Sequence, residues 1–259
     1  MINTQDDSCG VNNSPIGQHL PLAPTDALWV NLSPNLSVFD QPLLRNLAKR
    51  SCISQWQYIQ EADEACAIEV ALTLLHDHLK RRAQPVHLLG HGVSGAIALL
   101  YARLHPERVR SLTLLGVAEQ PAVTWHAHYY VQRHLLPCAQ SCVLAQLAKS
   151  LFNDERPYPA AALVQILAKD LARSPLLHSL FDIQSLPQGG VQVPLMVCGA
   201  TQDAIVHPPA LQEWQRWLKP GDRQWLCEQG GHFFHYFQPQ QVGREVSRFW
   251  RSLAPIPQR

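Results

Sequence analysis

Three short stretches carry residues able to do chemistry, and each follows an apolar run. They are Gly90-His91-Gly92-Val93-Ser94-Gly95, Asp203 in "CGATQDAIVHP", and His232 in "CEQGGHFFHYF". A carboxylate that orients an imidazole leaves that imidazole usable as a general base. With a nucleophile placed before them, the order nucleophile, acid, base is that of a covalent catalytic triad. Two registers are open for the nucleophile. With Gly90 and Ser94 as flanking small residues, its position falls on Gly92; with Gly92 and Ala96, it falls on Ser94.

These stretches need elements to position them. The strand-like runs Ala27–Ser33, Ser51–Ile59, Val86–Gly90, Leu112–Leu115, Val193–Gly199 and Arg223–Gln229 alternate with helical patterns. Those helical patterns cover Phe39–Arg50, a stretch from about Glu61 to Arg82, Gly95–Leu104, Pro209–Leu218 and a final helix. In the second, Ala65, Ile68, Leu72, Leu75 and Leu79 form one apolar stripe. Val86–Gly90 has too little polar alternation for a wet face, as in a parallel sheet covered on both sides. The alternation predicts an α/β fold with a mainly parallel twisted sheet flanked by helices. From about Glu119 to Gly190 no convincing strand appears, which predicts a helical insertion. The expected organisation is a flexible tail over 1–25, a core of 26–118 and 191–259, and a helical cap over 119–190.

On these residues the chain resembles the α/β-hydrolase superfamily. "VHLLGHGVSGAIALLYARLHPERVRSLTLLG" is similar to the family's strand–bend–helix–strand block. "VPLMVCGATQDAIVHP" resembles its acid-bearing strand, and "GGHFFHYFQPQQVGREVSRFW" its histidine loop and last helix. The resemblance implies Asp203 and His232 as the acid and base of a triad. The family places Gly-His directly before the nucleophile, and the nucleophile about 13 residues before the His of His-Pro-Glu-Arg; Gly92 to His105 is 13 and Ser94 to His105 is 11. The bend needs positive φ, which glycine adopts at little cost. Glycine there keeps the bend and removes the reacting oxygen. Losing a triad serine costs up to about 10⁶ in kcat, roughly 8 kcal/mol. Ser94 then becomes a small residue in the first helical turn, or, in the other register, the nucleophile. The resemblance implies the Ser33 and Val93 amides as oxyanion donors, although the His-Gly pair that the family carries at this point is here Asn31-Leu32.

Composition narrows the remaining classes. Charged residues are 16% and the formal net charge is +1, which argues against nucleic acid as a partner. No apolar run approaches the roughly 20 residues of a membrane span. The seven cysteines include no CxxC pair, and a reduced cytoplasmic setting is expected. His126 and His128, at i and i+2, cannot share a helix face, so no metal site is expected, and no cofactor. Trp125, Tyr129 and Tyr130 either line a pocket or pack the insertion; Trp214 and Trp217 are expected at core and rim. Three functions stay open: a hydrolase-like protein without serine catalysis that binds a small apolar ligand or a protein partner in the cap cleft; an active enzyme, either an esterase using Ser94 or a His232/Asp203 base catalyst; and an assembly factor.

Overall fold

The structure is a computed structural model of the 259-residue chain and describes residues 26–59, 67–153, 155–173 and 188–253. The expected tail over 1–25 and the start of the helix from Glu61 lie outside the described residues.

Six parallel strands form one sheet: β1 Ala27–Asn31, β2 Ile53–Gln57, β3 Val86–His91, β4 Val109–Leu115, β5 Leu195–Ala200 and β6 Arg223–Cys227. Their order across the sheet is β2-β1-β3-β4-β5-β6. The central strands are apolar on both faces because helices cover both. Leu28, Val30, Leu88 and Leu112 point into a core shared with helix α2, Ile68–Leu79, and helix α3, Gly92–Leu104. Their neighbours Trp29, Leu89 and Leu115 point the other way, onto helix α1, Ser37–Leu47, and the last helix. α3 is buried along nearly its whole length, as its unbroken apolar sequence requires.

Between β4 and β5 the described residues form three helices and no strand: α4 Trp125–Leu135, α5 Gln140–Phe152 and α6 Ala160–Arg173. Beyond β5, the expected helix over Pro209–Leu218 is broken. α7 covers only Pro208–Gln212, and a tight 3₁₀ turn follows over Glu213–Arg216. There the Trp214 indole N–H donates to the Val117 carbonyl at 2.9 Å, fully buried, while Trp217 stays at the rim. After β6 come a short α8, Phe234–Phe237, and α9, Pro239–Ser252.

One contact fixes how α3 leaves β3. A Cβ on Gly90 would lie 2.7–2.8 Å from the Gly95 and Ser94 backbone, and one on Gly95 would lie 2.8 Å from the Gly90 oxygen. Neither strand nor helix can retreat, because both are central to the core. Gly90→Ala is therefore expected to destabilise the protein by about 3 kcal/mol or more. Chemical denaturation against wild type measures it, and a cost under about 1 kcal/mol would show that the crossing is looser than these distances.

Candidate active site

The ends of β1, β3, β5 and β6 open on one edge of the sheet, where open α/β sheets bind their ligands. The sequence-expected residues converge there from distant segments. Asp203 lies three residues past β5 and His232 five past β6. The His232 Nδ1–H donates to Asp203 Oδ2 at 2.9 Å, and both side chains are almost fully buried. Asp203 Oδ1 accepts from the backbone amides of Ile205 at 2.8 Å and Val206 at 3.0 Å, so the carboxylate cannot rotate. Burial is the largest influence on this carboxyl and by itself would raise its pKa. The charge and hydrogen bond of His232, joined by the two amides, outweigh it and hold Asp203 below the ordinary carboxylate range. His232 Nε2 is buried and has no hydrogen-bond partner within the protein.

Gly92 occupies the bend between β3 and α3 with φ +52. A Cβ built there meets a single neighbour within 4 Å, His232 Nε2 at 3.6 Å. Residue 92 thus faces the free nitrogen of the Asp203–His232 pair. Ser94 has a partner of its own. The Ser94 Oγ accepts the Leu32 N–H at 2.9 Å, tying the first turn of α3 to the end of β1 across 62 positions of chain. Removing that acceptor strands a buried amide, so Ser94→Ala is expected to cost about 1–3 kcal/mol of stability. Thermal unfolding of that variant checks it; an unchanged midpoint would mean that the amide finds another acceptor.

The two expected oxyanion donors have different surroundings. Val93 is second in α3, in the first turn, where amides lack an intrahelical acceptor. The Ser33 amide is already engaged, donating to Asn31 Oδ1 at 2.9 Å. An asparagine two residues upstream closes its own turn this way. Asn31, standing in place of the family's histidine, therefore engages the amide that the resemblance had implied as a donor.

The site contains more than the sequence indicated. His126, at the second position of α4, pairs through Nε2 with Asp170 Oδ2 of α6 at 3.1 Å; their exposures are 1% and 0%. Thr124 starts α4 by accepting the Ala127 amide, which sets His126 facing inward. Asp40 of α1 accepts from His235 Nε2 at 3.0 Å and from the Trp29 indole at 3.2 Å. Burial raises the Asp40 pKa, against the opposing effects of His235 and Trp29, and Asp170 adds to the rise. His91 donates from Nε2 to the His232 carbonyl at 3.0 Å, and its ring lies 4.5 Å from those of His232 and His235. Burial first, then these two neighbours, hold the His91 pKa well below the usual histidine value.

Asp40, His91 and His235 are the one group among the described residues whose ligating atoms approach each other as a metal site needs, within 4.8 Å. Both oxygens of Asp40 are already engaged by N–H donors, so the group is a hydrogen-bonded network as it stands. Nothing in the sequence spacing could have found these pairs, since their members lie 44 and 195 positions apart.

One cavity joins these groups. Gly92, Ser94, His232, His126, His91 and Asp40 line it, with Trp29, Asn31, Ser33, Leu36, Val93, Trp125 and Phe233. The room inside is about 20 Å³, enough for one water-sized molecule. Of the aromatic residues that open the insertion, Trp125 lines this cavity and Tyr130 is exposed.

A doubly covered parallel sheet bearing an acid and a histidine after successive strands defines an α/β-hydrolase architecture. The family model described as "Alpha/beta hydrolase family" matches residues 56–245, and the chain belongs to that family. It is 47% identical over 233 residues to an uncharacterized protein, alr2406, of Nostoc sp., covering 89% of this chain and 93% of that one. It is 44% identical over 229 residues to an uncharacterized protein, sll0249, of Synechocystis sp., covering 88% and 91%. Among solved structures it resembles the enol-lactonase from Burkholderia xenovorans LB400, with a TM-score of 0.67 at 19% identity, covering 87% and 90% of the two chains. It also resembles a thermophilic esterase from Thermogutta terrifontis, with a TM-score of 0.65 at 16% identity over 88% and 90%. These structural likenesses establish the fold. No helix among the described residues is long and apolar enough to cross a membrane.

Proposed function

We propose that this protein is a hydrolase-fold protein that has given up serine chemistry and keeps its acid–base pair. In this reading, Gly92 stands where the nucleophile would be, and the site binds a small polar ligand with His232 as base. The observation that carries it is the bend itself. Residue 92 has positive φ, and its missing Cβ would sit 3.6 Å from His232 Nε2. The position is in place and the oxygen is not. The lining offers polar contacts from Asp40, His91, His126 and His232 beside the apolar Trp29, Leu36, Val93, Trp125 and Phe233, and the polar groups speak for a polar ligand where the sequence suggested an apolar one. The three inserted helices act as the cap, and Leu151 at the end of α5 accepts the His232 backbone amide at 2.9 Å, bracing the histidine loop.

The Ser94 hydroxyl accepts the Leu32 amide, which favours a packing role for it over that of a nucleophile. A fluorophosphonate probe tests the reading directly. Wild type and Ser94→Ala are both expected to remain unlabelled. Wild-type labelling that disappears in Ser94→Ala would restore Ser94 as a nucleophile and remove the proposal.

A further inference from the structure

A second, larger hollow lies at the other end of the strands, where they begin. It encloses about 600 Å³, the size of a small-molecule site, and Arg50, Arg110 and Arg251 line it with Asp26, His87 and Trp250. The sheet assembles it. The Asp26 amide donates to the Cys52 carbonyl and the Asp26 carbonyl accepts the His87 amide, each at 2.9 Å, so the starts of β1, β2 and β3 meet there. The pairing of β3 with β4 slips between Val86 and His87, which leaves Arg110 as an extra residue, a bulge of the kind that re-aims a side chain. Trp250 of α9 stacks on the His87 ring, centroids 4.7 Å apart and planes at 15°, and Arg251 follows it in the chain.

Charge in this hollow is unbalanced. Among the described residues the arginines that form ion pairs are Arg108, Arg216 and Arg248, none of them in this lining. Asp26 is the one carboxylate of the lining, and its Oδ2 accepts the Cys52 amide at 2.9 Å. Burial first, then Arg110, bring the His87 pKa down to about 4 against a pull from Asp26, so His87 is neutral near pH 7. Three guanidinium groups thus meet one carboxylate, a surplus of two positive charges, and a concave surface of one sign concentrates its field on an anion. Arg110 Nε and the Trp250 indole nitrogen are buried without a hydrogen-bond partner among the described residues. A solvated basic face leaves such donors in water. Here they are cut off from it, and a bound acceptor would satisfy them.

We propose that this hollow is a second ligand site, where Arg50, Arg110 and Arg251 hold the phosphate group of a small phosphate monoester. A guanidinium presents a planar fork of N–H donors that fits carboxylate or phosphate oxygens in pairs. One fork fills a carboxylate. A phosphate monoester has three terminal oxygens and carries up to two negative charges, so it can take forks from several sides and cancel the surplus. The volume exceeds that of a phosphate ion and leaves room for the esterified group. This site shares no lining residue with the cavity at Gly92, so its test and that of the proposed function are independent.

Isothermal titration calorimetry with glycerol 3-phosphate, at an ionic strength held constant with chloride, tests this. Saturable one-site binding is expected. Affinity should fall at least tenfold in the double variant Arg50→Gln/Arg251→Gln, whose two side chains are exposed and whose fold is not at stake. Arg110→Gln should weaken binding by a similar factor; if it fails to fold, the double variant still decides. Absence of binding, or equal affinity of wild type and the double variant, would overturn the site. Succinate, a dicarboxylate of the same charge, should bind at least tenfold more weakly, and equal affinity would overturn phosphate as the recognised group. Inorganic phosphate should also bind more weakly than the ester; tighter binding would make the free ion the occupant and overturn the monoester.

Discussion

Gly92→Ser is expected to turn an unreactive protein into one that a fluorophosphonate labels. The added Cβ meets only His232 Nε2, at an ordinary contact distance of 3.6 Å, so there is room for it. The next atom, Oγ, extends about 1.4 Å further and comes within the 2.6–3.2 Å in which a hydroxyl is activated by an adjacent base. The cost is backbone strain: an L side chain at φ +52 loses about 1–2 kcal/mol relative to glycine. For a chain of this size that lowers the thermal midpoint by roughly 2–8 °C. The rate should remain below that of an intact serine hydrolase, by about 10²–10³-fold, because one oxyanion donor is missing. The Ser33 amide is held by Asn31 and cannot turn to the developing charge. Mass spectrometry of the probe adduct, with the modified residue mapped to 92, measures the effect. A folded Gly92→Ser that stays unlabelled would show that His232 does not face this position in solution, and the whole reading of the site would fall.

Asp203→Asn should have the largest effect on stability and on the base together. Losing a buried hydrogen bond to a charged carboxylate costs about 1.5–3 kcal/mol. The asparagine oxygen can still accept the Ile205 and Val206 amides, which then turns its NH₂ toward His232 Nδ1. A donor now faces a donor, and the imidazole relieves this by moving its proton to Nε2. The base is thereby converted into a donor, as in the known carboxylate-to-amide exchange of serine proteases. Nitrogen NMR should therefore show a bare Nε2 in wild type and a protonated one in the variant.

The pH dependence follows from the direction of the Asp203 shift. Its pKa is lower in the folded chain than in the unfolded one. The stabilisation is therefore present above the unfolded carboxylate value, about 3.9. It is lost as pH falls through the folded value. Wild type should lose stability on acidification in that range, and Asp203→Asn should show a shallower acid limb. Equal acid limbs in denaturant titrations, with an unchanged imidazole tautomer, would mean that the pair contributes nothing.

The legibility of the fold was uneven, for physical reasons that particular elements show. The central strands and α3 were readable because burial on both faces leaves only apolar residues. The stripe on α2 was readable because one side must meet the core. The helix expected over Pro209–Leu218 was not, because its second half tightens into a 3₁₀ turn where Trp214 bonds to Val117, 97 positions away. That a local asparagine engages the Ser33 amide was not legible either, since residue types alone do not decide such a contest.

The sequence alone determined the architecture, and it singled out Asp203, His232 and Gly92 as candidate site residues. Each depends on patterns within a few residues of chain, where periodicity and steric rules act. Only the tertiary structure showed that the Ser94 hydroxyl accepts the Leu32 amide, just past the end of β1. Only it brought His126, Asp40 and His91 around the same cavity, with Asp170 bonded to His126. Those pairings join segments 44 to 195 positions apart. Burial, by removing water as a partner, makes the groups choose one another, and no local pattern in the chain records that choice.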